Sequence, residues 1–201
     1  MKIEINESLF ARMINSVKNC VPVVDINRTI LTYIKLKISN DKITAYGCDG
    51  YRAARTTIEL EEPTESEFEC FIKPITFKPS KSGKNPVVIH FIHDPESNKN
   101  ITTLEVITKT GKVKYYFEQP KENYADIDKI YDSASYDRKI GMNPNFVKLA
   151  LTALSQASNT HRPCVVFECG EKANASFKLS VKDKGFVNEQ LILPIRLDYD
   201  K

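Results

Sequence analysis

The chain has 201 residues, 41% of them hydrophobic and 27% charged, and its 29 basic and 26 acidic side chains leave a net charge of +3. That balance excludes a largely disordered or low-complexity polymer and a histone-like polycation, and it fits one large domain or two small ones. Cysteines 20, 48, 70, 164 and 169 form no CxxC pair and sit mostly in apolar runs. They read as reduced core thiols, which points to the cytoplasm. The opening MKIEINESLF lacks an apolar signal core, and no run is long enough to cross a bilayer.

Lys2 to Ile5 alternates and predicts a short strand, with Asn6 as the N-cap of a helix whose buried stripe is Leu9, Phe10, Met13, Ile14 and Val17. Val21-Pro22 closes that helical region. Leu31 to Ser39, Lys42 to Cys48 and Tyr51 to Leu60 follow as three strands, with Asn40-Asp41 as a tight turn. Phe68 to Lys73 opens a second unit. Two prolines and a Ser/Gly/Lys cluster then forbid a helix over 74–84. Val87 to His93, Ile101 to Thr108 and Lys112 to Phe117 are its three strands.

Residues 121–137 read as an extended connector. Lys139 to Met142 starts a third unit, and Asn143-Pro144 supplies a cap and a first helical residue. Phe146, Val147, Ala150, Leu151 and Leu154 form the expected buried stripe. Cys164 to Glu168, Ser176 to Val181 and Gln190 to Leu197 complete the strands. A strand–helix–three-strand plan thus occurs three times, with the middle helix lost. The expected class is α+β, with domains at 1–120 and 138–201 joined by the 121–137 connector.

Four stretches carry a resemblance. Ala45-Tyr46-Gly47-Cys48-Asp49-Gly50-Tyr51-Arg52-Ala53-Ala54 resembles the A-T-D-G-x-R-L-A run in the middle domain of bacterial β sliding clamps, the DNA polymerase III beta subunit family. Asn123-Tyr124-Ala125-Asp126 is similar to the F-P-D-Y run that follows that domain. Ile140-Gly141-Met142-Asn143-Pro144 resembles the I-G-F-N-P helix start of the final domain, and Leu193-Pro194-Ile195-Arg196-Leu197 resembles its M-P-M-R-L end. All four fall in family order.

The resemblance implies a DNA-clamp fold in shortened form, about three repeated units where a full clamp chain has six. The first domain has no counterpart here, and Asp198 to Lys201 extend past the usual end. It implies a replication accessory protein that tethers a polymerase through a peptide pocket. One wall of that pocket would be Gly50, Tyr51, Arg52 and Ala53, and the other Leu193, Pro194, Ile195, Arg196 and Leu197. Ala53 stands where the family has Leu. It also implies a surface facing double-stranded DNA without reading its sequence, for which Arg12, Lys18, Arg28, Lys148 and Arg162 are the candidates, with Lys78, Lys81 and Lys84 as a basic loop.

Partners would be a DNA polymerase or other proteins carrying clamp-binding peptides. Self-association into a homo-oligomer stays open. A non-ring regulator or decoy that competes for the same peptides is the second reading, and an uncharacterised hydrolase the third. No enzyme motif, cofactor loop or membrane segment is expected. His90 and His93 fall on opposite faces of a strand, so no metal site is expected either.

Overall fold

Asn6 ends the first strand, β1 (Lys2–Asn6), and starts the first helix, α1 (Glu7–Val17): its side-chain oxygen accepts from the N–H of Ser8 and of Leu9, at 2.9 and 3.2 Å. The computed structural model describes residues 2–64, 67–76, 79–94, 99–108, 111–133, 141–157, 164–169, 177–183 and 186–193. The chain divides into two units, Met1–Ser133 and Ala134–Lys201.

In the first unit, two four-stranded antiparallel sheets enclose one core. The first contains β2 (Ile34–Ser39), β3 (Lys42–Cys48), β4 (Ala53–Glu59) and β5 (Phe68–Ile72) in the order β4-β3-β2-β5. The second contains β1 with β6 (Pro86–Asp94), β7 (Lys99–Thr108) and β8 (Gly111–Glu118) in the order β1-β6-β7-β8. The strand that precedes each set of three therefore joins the other set. β1 lies on β6, with Ile3 opposite Ile89, and β5 lies on β2, with Ile72 opposite Ile34. The sequence plan gives the order of elements correctly, but each repeat is stitched into its neighbour.

Alternation explains the burial. Ile34, Leu36 and Ile38 are fully buried while Lys37 between them is exposed. Phe10, Met13, Ile14 and Val17 bury the inner stripe of α1 against Ile3, Ile5, Ile43, Ile89 and Leu104. The C-terminal end of α1 approaches β3 at Gly47, where an added Cβ would lie 2.4 Å from the Val17 carbonyl oxygen. Only glycine permits that contact.

No helix forms in the described part of 74–84, as expected from its prolines. The loop instead fastens to the start of α1. Glu7 is buried, accepting from the Ser80 hydroxyl and, at 3.2 Å, from the Asn85 N–H.

Two expectations change in this unit. Leu31 to Ser39 does not begin as a strand: Thr29–Thr32 is a 3-10 turn whose Ile30 and Leu31 are buried. Part of the expected connector, Ile127–Ser133, is a helix, α2. Its Asp128 accepts from the Tyr46 hydroxyl (2.7 Å) and from Arg55 (3.0 Å), and the Tyr131 hydroxyl donates to the Ala53 carbonyl (3.2 Å). Too short to show a helical period, it is held by these tertiary contacts.

The second unit has α3 (Pro144–Ala157) on one face of a three-stranded sheet of β9 (Val166–Cys169), β10 (Phe177–Asp183) and β11 (Phe186–Ile192), in the order β11-β10-β9. Asn143 caps α3, accepting from the Asn145 N–H at 2.9 Å. Ala150 and Leu154 meet Phe177, Leu179, Val181 and Ile192. Phe146, expected in the stripe, is 56% exposed; it lies in the first turn of α3, one turn before Ala150. The last strand ends at Ile192 rather than Leu197, and residues 194–197 lie outside the described residues. Cys48 and Cys70 are buried thiols as expected, Cys20 is half-buried, and Cys164 and Cys169 are exposed.

Candidate partner-binding turn and basic surfaces

The link between β3 and β4 is a tight turn built by Asp49. Its Oδ1 accepts from the N–H of Tyr51 (2.9 Å) and of Arg52 (2.7 Å), and its Oδ2 from Nε (2.9 Å) and Nη2 (2.7 Å) of Arg52. The Asp49 N–H donates to the Arg52 carbonyl at 3.1 Å, closing the turn. The Tyr51 N–H, with Arg52 beside it, holds the Asp49 carboxyl down to about 2 against the opposing effect of burial. Gly50 takes φ of 86°, a left-handed conformation suited to glycine. Arg52 also donates to the Asn19 carbonyl (3.0 Å), tying the turn to the end of the helical region.

The result is a braced turn that displays one large side chain. Tyr51 is 94% exposed, whereas Ala53 is half-buried against Ile30, Leu31, Tyr46 and Cys48. Arg28 covers Gly50: a Cβ there would lie 2.3 Å from a guanidinium nitrogen. Arg28 is itself paired with Asp25 at 3.2 Å. The chain between α1 and Arg28 carries Val23, Val24 and Ile26, all exposed.

In the second unit, Leu191 and Leu193 are 67% and 70% exposed, while Ile192 between them is buried. Of the expected second wall, only Leu193 is among the described residues; Pro194, Ile195, Arg196 and Leu197 lie outside them. Leu191 and Phe146 add exposed apolar surface that sequence reasoning placed in strand and core. Asp49, the residue that organises the turn, was quoted there only as part of a motif. Its Asp-Gly pair carried the turn signal.

Of the basic candidates, Arg12 is exposed on α1, Lys18 is half-buried in the 3-10 turn Lys18–Cys20, and Lys148 is exposed on α3 beside Thr152, Ser155 and Gln156. Arg28 is partly neutralised by Asp25. Arg162 and Lys78 lie outside the described residues, while Lys81 and Lys84 are exposed. Among the described residues, no three His, Cys, Asp or Glu side chains gather as metal ligands, and no helix is long and apolar enough to cross a membrane.

No protein-family model matches the sequence, and no curated protein does. Solved structures do match by fold. The DNA polymerase sliding clamp of Bacillus subtilis superposes with a TM-score of 0.73 at 17% identity, over 96% of this chain and 49% of the clamp. The beta subunit of the Streptococcus pyogenes DNA polymerase gives 0.75 at 14% identity, over 98% and 50%. The Helicobacter pylori beta clamp, solved bound to a DNA ligase peptide, gives 0.67 at 14% identity, over 99% and 51%. The chain therefore has the sliding-clamp fold and spans about half the length of the clamps it matches.

Proposed function

We propose that this protein is a non-enzymatic replication accessory factor of the clamp type, which holds a DNA polymerase or another protein by a short peptide of that partner. One observation carries the reading. The Asp49-Gly50-Tyr51-Arg52 motif, singled out in the sequence by its likeness to clamps, is built as a braced turn on a clamp fold, with Tyr51 displayed. The proposed peptide contacts are Gly50, Tyr51, Arg52 and Ala53 on the first unit and, taken separately, Leu191 and Leu193 to Leu197 on the second. On the first unit, an exposed aromatic ring next to a fixed guanidinium suits an apolar anchor with a carboxylate or carbonyl near it, and on the second unit the exposed leucines suit an apolar anchor of their own. The Helicobacter pylori neighbour was solved bound to a DNA ligase peptide.

Tethering is the mechanism. A partner held by its peptide gains effective concentration at its site of action, with no bond made or broken. Arg12, Lys18 and Lys148 are the proposed contacts to the phosphates of double-stranded DNA. The uncharged run Thr152, Ser155 and Gln156 around Lys148 favours a second reading, in which the chain binds clamp-binding peptides and competes with a complete clamp instead of encircling DNA.

Calorimetric titration with a clamp-binding peptide such as a DNA ligase peptide tests the proposal. Saturable binding that falls at least tenfold in Arg52→Ala and in Leu193→Asp is the expected result, the loss of one well-placed anchor being worth about 1.4 kcal/mol or more. No heat of binding to the wild-type chain would refute it.

A further inference from the structure

The chain between α1 and β2 is pinned at both ends and stands out in the middle. At its start, Arg52 donates to the Asn19 carbonyl (3.0 Å), and Val21 lies so close to β3 that a Cβ added at Gly47 would be 3.0 Å from its Cγ2. At its end, the Arg28 guanidinium covers Gly50. Asp25 folds the stretch between, its Oδ1 accepting from the N–H of Asn27 (3.1 Å) and of Arg28 (2.8 Å).

This braced loop displays apolar side chains. Val23 is 96% exposed, Val24 73% and Ile26 90%, and Tyr51 is displayed on the turn that Arg28 and Arg52 tie to the loop. A single exposed apolar residue is ordinary, but four on two tied segments make a patch that marks a docking surface. Exposure this high means that each side chain touches little of its own protein and projects outward. The charge around them is positive. Arg28 and Arg52 leave more than half of their side chains exposed, whereas their partners Asp25 and Asp49 are largely covered. Lys18 is half-buried just before the loop, and Asp25 is the only acidic residue in the sequence from 8 to 40.

We infer that this tip docks on the surface of a bilayer rich in anionic phospholipid. Three features select that partner. Projecting aliphatic side chains enter the boundary between headgroups and acyl chains without needing a matching cleft. A tyrosine, apolar in its ring and polar at its hydroxyl, suits that same boundary. The exposed guanidinium groups, with Lys18, supply cations for the headgroup phosphates, onto which arginine can fork. The contact is peripheral, a loop tip in the interface and not a spanning segment. It rests on the first unit alone and does not depend on peptide binding.

Sedimentation of the intact chain with vesicles of phosphatidylcholine mixed with phosphatidylserine, and with vesicles of phosphatidylcholine alone, tests this. The expected result is binding to the mixed vesicles that weakens as salt is raised and falls roughly fivefold in Lys18→Gln, the share of one cation near an anionic surface. Ile26→Asp lowers it by roughly tenfold or more, since an apolar contact becomes a charge facing phosphates. Tyr116→Asp, at an exposed apolar position on β8 of the same unit, leaves it unchanged. The chain has no tryptophan, so Ile26→Trp gives a single reporter whose emission moves to shorter wavelength on the mixed vesicles. Failure of the wild-type chain to bind the mixed vesicles overturns the inference. So does binding that Ile26→Asp leaves intact, or that brings no emission shift, because either is attraction of charge alone. Should Ile26→Asp fail to fold, the tryptophan reporter still decides.

Discussion

At the residue scale, two carboxylates set the geometry of the first unit. Asp49 holds four donors of its own turn. Replacing it with Ala leaves those donors without their acceptor, costs about 1–3 kcal/mol, and weakens peptide binding together with stability. Arg52→Lys does not restore binding, because a lysine cannot fork onto Asp49 and reach Asn19 as well. Paired titrations and denaturant melts of the two variants check this. Glu7 does the same work at the start of α1. Burial pushes its carboxyl up, but the Ser80 hydroxyl and the N–H groups of Ser80 and Asn85 outweigh it and hold the value below the ordinary 4.5. A folded pKa below the unfolded one contributes stability above the unfolded value, and that contribution fades as the pH falls through the folded value. Wild type should therefore exceed Glu7→Gln in urea stability at neutral pH, with the gap closing below about pH 4.5. A gap that widens in acid would contradict the assignment.

At the element scale, α2 is the clearest case of structure that tertiary contacts create. Asp128 bridges Tyr46, Arg55 and Lys37, and Arg55 lies 4.4 Å over the Tyr131 ring. Asp128→Ala should lower the unfolding free energy by about 1–3 kcal/mol and speed amide exchange in α2. Unchanged exchange there would mean that the helix holds itself. The same element marks where the sequence was opaque. Strands such as β2 and β3 were legible because their isoleucines and lysines alternate with the pleat, and α1 and α3 because an asparagine cap precedes a periodic stripe. Residues 121–137 are polar with scattered Tyr and Ile and offer no period, so their helix could not be read. The exchange of β1 and β5 between sheets was equally hidden, since periodicity reports a strand's faces and not its neighbour. The turn at Asp49-Gly50 was legible as a motif. The exposure of Phe146 and Leu191 was not, because apolar letters alone do not say whether a partner covers them.

At the scale of the whole molecule, the fold is that of a sliding clamp over about half a clamp's length. Contacts from only Arg12, Lys18 and Lys148 would give a salt slope near −2.7, so affinity for duplex DNA should fall about 40-fold between 50 and 200 mM salt. Arg12→Ala should lower the slope by about one unit on every sequence alike. A slope several times steeper would mean a basic surface beyond these residues. The central claim is that the Asp49–Arg52 turn of the first unit takes a partner peptide, with Leu191 and Leu193 of the second unit as separate apolar contacts. The most direct test is to follow backbone amide resonances of the intact chain as a clamp-binding peptide is added. The account predicts saturable shifts at Gly50, Tyr51, Ala53, Leu191 and Leu193, with α2 and the buried strands unmoved. Shifts confined to other surfaces, or none at saturating peptide, would contradict it.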